Sequence, residues 1–284
     1  MSEQIDLDRY FARVGYGGTT AATLETLREL HRLHPQAIAF ENLNPLLRLP
    51  VGTDPASIER KLVREGRGGW CFEQNLLFLS VLRRLGFRVT GLAARVLWNQ
   101  PEDAITPRSH MLLRVDIDGH AYVADVGFGG LTLTAPLLLE PDIEQPTPHE
   151  PFRILRAGAY YTLQAKIAGD WKTLYRFDLQ EQFVQDYEVS SHFLSTHPSS
   201  HFLRNLLAAR SDDGRRYALF NNQLTIHWRD RPSQRRVLAT AAEIRRALEH
   251  EFRLTLPARP DLDAALGNLI PATSNLSEAA PRGR

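Results

Sequence analysis

Apolar residues recur at helical spacing along the first third of the chain. Three segments share this pattern and are bounded by residues that cap or break helices: Thr23–Leu33, Pro55–Arg64 and Cys71–Leu85. Pro35 is expected to end the first helix, Asp54 to cap the start of the second, and Gly86 to cap the end of the third. Residues 1–86 therefore predict a helical bundle.

Between residues 87 and 178 the pattern changes to the period of two that β-strands show. Six segments carry this period and are separated by Gly, Pro and Asp turns: Val89–Trp98, His110–Ile117, Ala121–Val126, Phe152–Leu155, Tyr160–Ala165 and Trp171–Phe177. Several antiparallel strands in series indicate a barrel or a curled sheet.

The last third of the chain is mixed. It predicts a helix, two strands and a second, amphipathic helix: Gln180–Ser191, Tyr217–Phe220, Leu224–Trp228 and Ala241–Phe252. The tail from Pro271 is polar, and we expect it to be poorly ordered or loosely docked. These changes of pattern divide the chain into three predicted domains, at residues 1–86, 87–190 and 191–284.

Composition narrows the class of protein. The chain has 284 residues, 43% of them hydrophobic and 24% charged, which is ordinary for a globular protein. A formal net charge of +1 argues against nucleic acid or an anionic membrane as the main partner. No apolar run approaches the roughly 20 residues that span a bilayer, and the polar, acidic residues 1–8 do not resemble a secretory signal. We expect a cytoplasmic monomer or homodimer.

Cys71 is the only cysteine in the sequence, which excludes an intrachain disulfide and a metal site built from several cysteines. It stands where Gly68 and Gly69 lead into the third predicted helix. Exposed backbone N–H groups at a helix start favour a thiolate over a thiol. Cys71 is therefore a candidate nucleophile.

A predicted β-hairpin brings a histidine beside an aspartate. Two alternating runs flank Asp118-Gly119, which is a strong two-residue turn signal. This turn opposes Ile117 to His120, and the same register makes Asp125 a diagonal neighbour of His110 on one face. Diagonal Cα atoms lie roughly 7–8 Å apart, a gap that a hydrogen bond between the two side chains can close. Such a pair is suited to activating a thiol.

Each of these residues also has an ordinary structural interpretation. A single buried cysteine is usually an apolar filler, and a single histidine on a strand is usually structural. Two glycine runs favour the catalytic interpretation. Gly68 and Gly69 allow close approach to Cys71, while residues 127–130, Gly-Phe-Gly-Gly, follow Asp125 with N–H groups suited to an oxyanion or a phosphate.

Four motifs stand in order along the chain: Ala39-Phe40-Glu41-Asn42-Leu43, RGGWCFEQN at residues 67–75, Ser109-His110-Met111, and Ala-Asp-Val-Gly-Phe-Gly-Gly at residues 124–130. Together they resemble the motifs of the arylamine N-acetyltransferase family, in its prokaryotic form. Ala39 replaces the proline that usually opens the first motif. The likeness runs from about residue 10 to residue 252.

The resemblance implies an α+β fold with an N-terminal helical bundle, a central β-barrel and a C-terminal α/β lid. Its catalytic core would be of the papain or transglutaminase type, with Cys71 as nucleophile, His110 as base and acid, and Asp125 orienting the imidazole. The resemblance also implies ping-pong transfer from acetyl-CoA, without a metal, to arylamines, arylhydrazines and N-hydroxyarylamines.

The same resemblance assigns candidate binding residues. Phe40 and Phe128 would line the acceptor pocket, and Phe202 would lie in the lid near the acyl site. Gly127, Gly129 and Gly130 would donate backbone hydrogen bonds to the CoA pyrophosphate. Four arginines of the lid are further candidates for CoA: Arg204, Arg210, Arg215 and Arg216. We expect Arg67 and Glu73 to form structural ion pairs and Trp70 to serve packing.

Other functions stay open from the sequence. A cysteine hydrolase could use the same three residues, because exclusion of water from the site, not the triad, separates transfer from hydrolysis. An amide synthase that transfers a larger acyl group is a second alternative. An inert binding module or a redox-sensing thiol is disfavoured, since a redox switch usually needs a resolving cysteine and the chain has none.

Overall fold

The structure is a computed structural model that describes residues 5–271. The residues of the predicted loose tail beyond Pro271 lie outside the described residues. Within that range the α-helices, numbered in chain order, are α1 Leu7–Val14, α2 Leu24–Ala37, α3 Leu43–Leu46, α4 Pro55–Glu59, α5 Cys71–Arg84, α6 Val184–Thr196, α7 Ala241–His250 and α8 Leu262–Gly267. A π-helical turn at Arg60–Arg64 extends α4, and a 3₁₀ turn spans His201–Leu203.

Both predicted helix caps form as expected. Asp54 accepts the backbone N–H of Ser57 at 2.9 Å at the start of α4. Gly86 has φ of 86° just after α5, and its N–H bonds to the carbonyl of Arg83 at 3.0 Å. The prediction that Pro35 ends α2 is wrong, because the helix continues to Ala37. A proline in the last turn removes only one helical hydrogen bond.

The strands form two sheets. In chain order they are β1 Phe40–Glu41, β2 Arg88–Val96, β3 Arg108–Ile117, β4 His120–Ala124, β5 Leu137–Leu138, β6 Phe152–Ala157, β7 Tyr160–Ile167, β8 Asp170–Phe177, β9 Leu207–Asp212, β10 Arg215–Phe220, β11 Gln223–Trp228 and β12 Gln234–Val237. One sheet has seven antiparallel strands in the order β5-β4-β3-β2-β8-β7-β6. The other has five, in the order β1-β9-β10-β11-β12.

Gln145 nearly closes the seven-stranded sheet into a barrel. Its backbone exchanges two hydrogen bonds with Phe152 of β6, at 2.7 and 2.9 Å. Its side-chain amide accepts the N–H of Leu138 at 2.8 Å and donates to the Leu138 carbonyl at 2.9 Å. One residue therefore joins the two edge strands, β5 and β6, and satisfies backbone groups that an open edge would leave unpaired.

The predicted hairpin of β3 and β4 has the expected register. Ile117 pairs with His120, and the pairing continues to Leu113 and Ala124. One face of this hairpin packs on the helical bundle through Met111, Leu113 and Val115, which are fully buried. Its other face lines the barrel interior, so residues of β3 alternate between two hydrophobic cores.

A third core lies between the five-stranded sheet and helices α7 and α8. Strand β1 belongs to this sheet although it comes from the N-terminal third of the chain, and it pairs with β9. The predicted domain boundary at residues 190 and 191 falls inside α6. The division into three domains stays a prediction.

Among residues 5–271, no helix combines the length and the apolar character needed to cross a membrane.

Candidate active site

Cys71 is the first residue of α5 and is 8% exposed. The backbone before it passes too close to its neighbours for any side chain. A Cβ on Gly68 would lie 2.2 Å from the carbonyl oxygen of Ala39, and one on Gly69 would lie 2.7 Å from a carboxylate oxygen of Glu73. The two glycines therefore serve tight packing that fixes the start of the helix and the position of the thiol.

His110 and Asp125 form a buried hydrogen-bonded pair. Nε2 of His110 lies 2.7 Å from Oδ2 of Asp125, and the two residues are 3% and 0% exposed. This is the contact that the hairpin register predicts. Both residues lie at the open end of the hairpin, away from the Asp118-Gly119 turn: His110 is near the start of β3, and Asp125 directly follows β4.

A β-bulge in β3 lies next to His110 and beside the thiol. Ala94 of β2 pairs with His110, but the next residue, Arg95, pairs with Arg108, so Ser109 is an extra residue on β3. The carbonyl oxygen of Ser109 lies 3.8 Å from Sγ of Cys71. Bulges of this kind redirect side chains at active sites.

The side chain of Cys71 lies close enough to His110 to favour the charged form of the imidazole. Burial disfavours the imidazolium, but the charge and hydrogen bond of Asp125 and the contact with Cys71 outweigh it and raise the pKa of His110 to about 10. His110 is therefore cationic at neutral pH. Because Nε2 is bonded to Asp125, Nδ1 is the ring nitrogen that remains for the sulfur.

Asp125 is held by donors to both carboxylate oxygens. Oδ1 accepts from the Asn75 amide at 3.0 Å and from the Gly127 N–H at 2.9 Å. Oδ2 accepts from the Tyr175 hydroxyl at 3.0 Å, in addition to His110. Burial alone would raise the pKa of Asp125, but the charge of His110 and these hydrogen bonds lower it. The carboxylate is therefore ionised and fixed in orientation.

Asn75 ties the nucleophile helix to the hairpin. It lies one helical turn after Cys71, and its amide also donates to the Met111 carbonyl at 2.8 Å and accepts the Val126 N–H at 3.1 Å. The sequence motif contains Asn75, but no role was predicted for it. Its spacing of four residues from Cys71, which places both on one face of α5, could have indicated one. Tyr175 on β8 carried no such signal.

The glycine loop after Asp125 packs directly on the helix start. A Cβ on Gly127 would lie 2.8 Å from Nδ2 of Asn75 and 2.9 Å from Cα of Cys71. Since the Gly127 N–H is bonded to Asp125, it does not serve the predicted hydrogen bond to CoA. Gly129 and Gly130 keep that prediction, and a Cβ on Gly130 would meet only open space.

Two buried histidines of α2 support this arrangement from the bundle. Nε2 of His31 accepts the backbone N–H of Asp125 at 3.0 Å. His34 lies between the Tyr10 hydroxyl at 2.9 Å and the Gln74 amide oxygen at 2.7 Å. Desolvation lowers the pKa of His31 to about 4 and that of His34 to about 3. Both rings are therefore neutral.

Arg67 and Glu73 form structural ion pairs, as predicted, but with different partners. Arg67 pairs with Glu41 at 3.2 Å and donates to Asn44 at 2.7 Å, while Glu73 pairs with Lys61 at 2.7 Å. Glu73 also accepts the Trp70 N–H at 3.1 Å, which satisfies a backbone donor at the start of α5. These buried charges fix the segment before Cys71.

The three predicted phenylalanines lie around the start of α5 and the loop after Asp125, and only Phe128 contacts the imidazole of His110. Phe128 meets the His110 ring at 5.1 Å, edge to face, and Phe202 meets the Trp70 ring at 5.3 Å in the same way. The Phe40 ring lies next to Gly129, where a Cβ would be 3.7 Å away. All three are partly buried. Aromatic walls of this kind suit a flat apolar ligand.

Three of the four lid arginines are engaged in structural contacts. Arg210 and Arg215 both pair with Asp212, at 3.1 and 3.2 Å. Arg216 makes a bidentate pair with Glu150, with a closest distance of 2.7 Å. Arg204 is exposed and donates to a backbone carbonyl. The first three therefore do not offer unpaired charge to CoA phosphates.

Comparisons with known proteins identify the family of this chain. A family model described as N-acetyltransferase matches residues 23–261. The arylamine N-acetyltransferase of Escherichia coli (strain K12) is 43% identical over 250 residues, which cover 87% of this chain and 88% of that protein. The chain belongs to the arylamine N-acetyltransferase family. The predicted family, and the assignment to an enzyme class, are confirmed.

Other relatives extend the comparison. A protein of Salmonella typhimurium named arylamine N-acetyltransferase / N-hydroxyarylamine O-acetyltransferase is 42% identical over 221 residues, covering 77% of this chain and 78% of that one. The structure of Mycobacterium marinum arylamine N-acetyltransferase in complex with CoA superposes with a TM-score of 0.90 at 40% identity, covering 93% of this chain and all of that one. The predicted α+β fold class is confirmed.

The described part of the chain, residues 5–271, contains no group of three or more His, Cys, Asp or Glu side chains that could hold a metal ion.

Proposed function

We propose that the chain is an acetyl-CoA-dependent N-acetyltransferase that acts on arylamines and arylhydrazines by a ping-pong mechanism through an acetylated Cys71. The observation that carries this proposal is the buried 2.7 Å contact between His110 and Asp125 beside the thiol at the start of α5. A cationic imidazole next to sulfur stabilises the thiolate, which is the nucleophilic form.

The first half-reaction transfers the acetyl group to the enzyme. The Cys71 thiolate attacks the thioester carbonyl carbon, and the bond from that carbon to the CoA sulfur breaks. The His110 imidazolium gives its proton to the departing CoA thiolate, so free CoA leaves and acetyl-Cys71 remains. Asp125 keeps the imidazole in the required orientation and tautomer.

The second half-reaction regenerates the thiolate. A neutral amine attacks the acetyl carbon, neutral His110 accepts the proton that the nitrogen loses, and the bond to the Cys71 sulfur breaks. Aromatic amines are neutral at pH 7, whereas alkyl amines are mostly protonated. The partly buried rings of Phe40, Phe128 and Phe202 would hold a flat acceptor close to the thioester. An N-hydroxyarylamine could accept the group on oxygen.

The named relatives support this proposal. One is known as both an N- and an O-acetyltransferase, and another was determined in complex with CoA. By the same analogy, Gly129 and Gly130 are proposed to donate hydrogen bonds to the pyrophosphate. The choice between monomer and homodimer, the cytoplasmic location and the three domains stay predictions.

The direct test mixes the protein with acetyl-CoA, with and without an aromatic amine, and follows CoA release. A transferase should release CoA slowly without an acceptor and quickly with one. Intact-mass analysis should find one acetyl group on the protein, absent in Cys71→Ala. Rapid CoA release regardless of amine would instead show a cysteine hydrolase, and activity only with bulky acyl thioesters would show an amide synthase.

A further inference from the structure

Asn42 has no part in the chemistry described above, yet its side chain is fully committed to one distant turn. It is 1% exposed. Its amide nitrogen donates to the carbonyls of Phe202 at 2.9 Å and Asn205 at 2.8 Å, and its amide oxygen accepts the Leu207 N–H at 2.7 Å. All these partners lie at least 160 residues further along the chain. Both N–H donors of the Asn42 amide are therefore used in holding this turn.

The turn that Asn42 holds presents Phe202 to the active site. Phe202 stands in the 3₁₀ turn before β9, and its ring packs on Trp70, the residue before the nucleophile. Asn221 holds the same turn from its other side, since its amide oxygen accepts the Leu206 N–H at 2.9 Å. The ring position therefore depends on backbone hydrogen bonds to two asparagines.

Asn42 also links this turn to the other aromatic wall. It directly follows β1, in which Phe40 pairs with Ala209 of β9. Phe40 lies beside Gly129 in the loop after Asp125. One short segment thus supplies one aromatic residue of the pocket and fixes the backbone of another.

We propose that Asn42 is a positioning residue that sets Phe202 over the acyl site of Cys71. This inference rests on the proposed function. It assigns Asn42 to substrate positioning rather than to nucleophile activation, because the hydrogen bonds of its side chain go to the turn of Phe202 and not to Cys71, His110 or Asp125. Loss of the hydrogen bonds between Asn42 and the turn of Phe202 should slow acyl transfer, while the Cys71 thiolate stays reactive.

The test is Asn42→Asp, which keeps the shape of the side chain. The carboxylate can still accept the Leu207 N–H, but its second oxygen faces two carbonyls that it repels. We expect kcat/KM for acetyl-CoA to fall about 10- to 100-fold, as misplacement of a positioning group does. The rate of Cys71 alkylation by iodoacetamide should stay within about twofold of wild type, since the triad is untouched.

Asn222→Asp is the matched control. Asn222 is also buried, in the turn between β10 and β11, and its amide donates to the Leu238 carbonyl at 3.1 Å. It does not hold the turn of Phe202. Equal loss of acyl transfer in both variants would mean general weakening of the lid and would overturn the inference.

A double-mutant cycle with Phe202→Ala tests whether Asn42 affects acyl transfer through Phe202. If Asn42 acts through Phe202, then Asn42→Asp should have little further effect on kcat/KM once the ring is gone. Additive losses would overturn the inference. Asn221→Gly keeps the positive φ of 52° at that position and weakens the same turn from the other side, so it should shift kcat/KM in the same direction.

Hydrogen exchange gives a readout that does not need activity. The amides of residues 201–207 should exchange faster in Asn42→Ala than in Asn222→Ala. Equal exchange rates would show that Asn42 does not hold this turn. If the turn is released but the double-mutant cycle is additive, the positioning role fails while the proposed function stands. If wild-type protein transfers no acetyl group to any acceptor, it is the proposed function that fails.

Discussion

The bundle face around α2 and the barrel face around β3 bury histidines to the same degree but leave them in opposite charge states. His31 and His34 are 0% exposed and His110 is 3% exposed. Desolvation lowers the pKa of the first two to about 4 and about 3, whereas the pKa of His110 is raised to about 10. Burial is common to all three residues, so burial does not decide the charge.

The difference lies in what each ring contacts. His31 accepts a backbone N–H, and His34 lies between a hydroxyl and an amide. His110 meets an ionised carboxylate at 2.7 Å. A hydrogen bond to an ionised carboxylate therefore makes a buried histidine a cation that can stabilise a thiolate. A buried histidine with only neutral hydrogen-bond partners stays neutral and has a structural role.

Asp125→Asn is expected to have the largest effect, because it removes the charge that keeps His110 cationic. The amide keeps the shape of the side chain but removes its charge, so the pKa of His110 should fall and Cys71 should lose its cationic partner. We expect acetyl-enzyme formation, followed by rapid quenching and mass analysis, to slow by about 10³–10⁴-fold.

The matched control is Asp116→Asn on the same hairpin, where the carboxylate pairs with Arg114 near the surface. Its effect on acetyl-enzyme formation should be within about twofold. Equal rates for Asp125→Asn and wild type would show that the carboxylate does not set the state of His110.

The two faces should also differ in how their histidines make the stability of the protein depend on pH. The pKa of His31 is depressed, so its contribution to stability is complete above the unfolded value of 6.5 and is lost as pH falls towards about 4. This is on the order of 3 kcal/mol for His31 alone. The pKa of His110 is raised, so its contribution is complete below 6.5 and is lost as pH rises through about 10.

Urea unfolding between pH 7 and pH 4.5 checks the acid side of this prediction. The free energy of unfolding should fall more steeply in wild type than in His31→Gln, because the variant has one fewer buried base to protonate. His250→Gln, at an exposed position of α7, should keep the wild-type slope. A His31→Gln slope equal to wild type would place the acid sensitivity elsewhere.

A smaller effect is expected from Tyr175→Phe. The change removes one of the donors to Oδ2 of Asp125 and leaves the contact with His110 in place. Loss of one buried hydrogen bond is worth about 1 kcal/mol, so kcat/KM should fall about fivefold. Tyr161→Phe, a buried tyrosine that stacks on Phe177 in the same barrel, is the control. A larger loss than for Asp125→Asn would reverse the assigned order of importance.

Local signals predicted the central part of the site. The Asp118-Gly119 turn set the register of β3 and β4, and that register placed Asp125 beside His110. Cys71 was found because it stands at the start of a periodic helix after two glycines. Each of these inferences depends on residues close together in sequence, where spacing determines geometry.

Contacts between distant segments were not predictable in this way. Tyr175 and Asn42 act on partners 50 and at least 160 residues away, and periodicity says nothing about such pairs. Strand β9 was missed, as was β1, which has only two residues and exists because β9 pairs with it. The partner of Arg216 was not predictable either, since Glu150 comes from another part of the chain.

The ionisation state of Cys71 can be tested by measuring how fast iodoacetamide alkylates it at pH 6 and at pH 8. If the imidazolium of His110 holds a thiolate, the two wild-type rates should agree within about threefold, and His110→Ala should show a much steeper dependence. A free thiol loses about 100-fold in rate over that interval. A wild-type rate that falls by that factor would contradict the account.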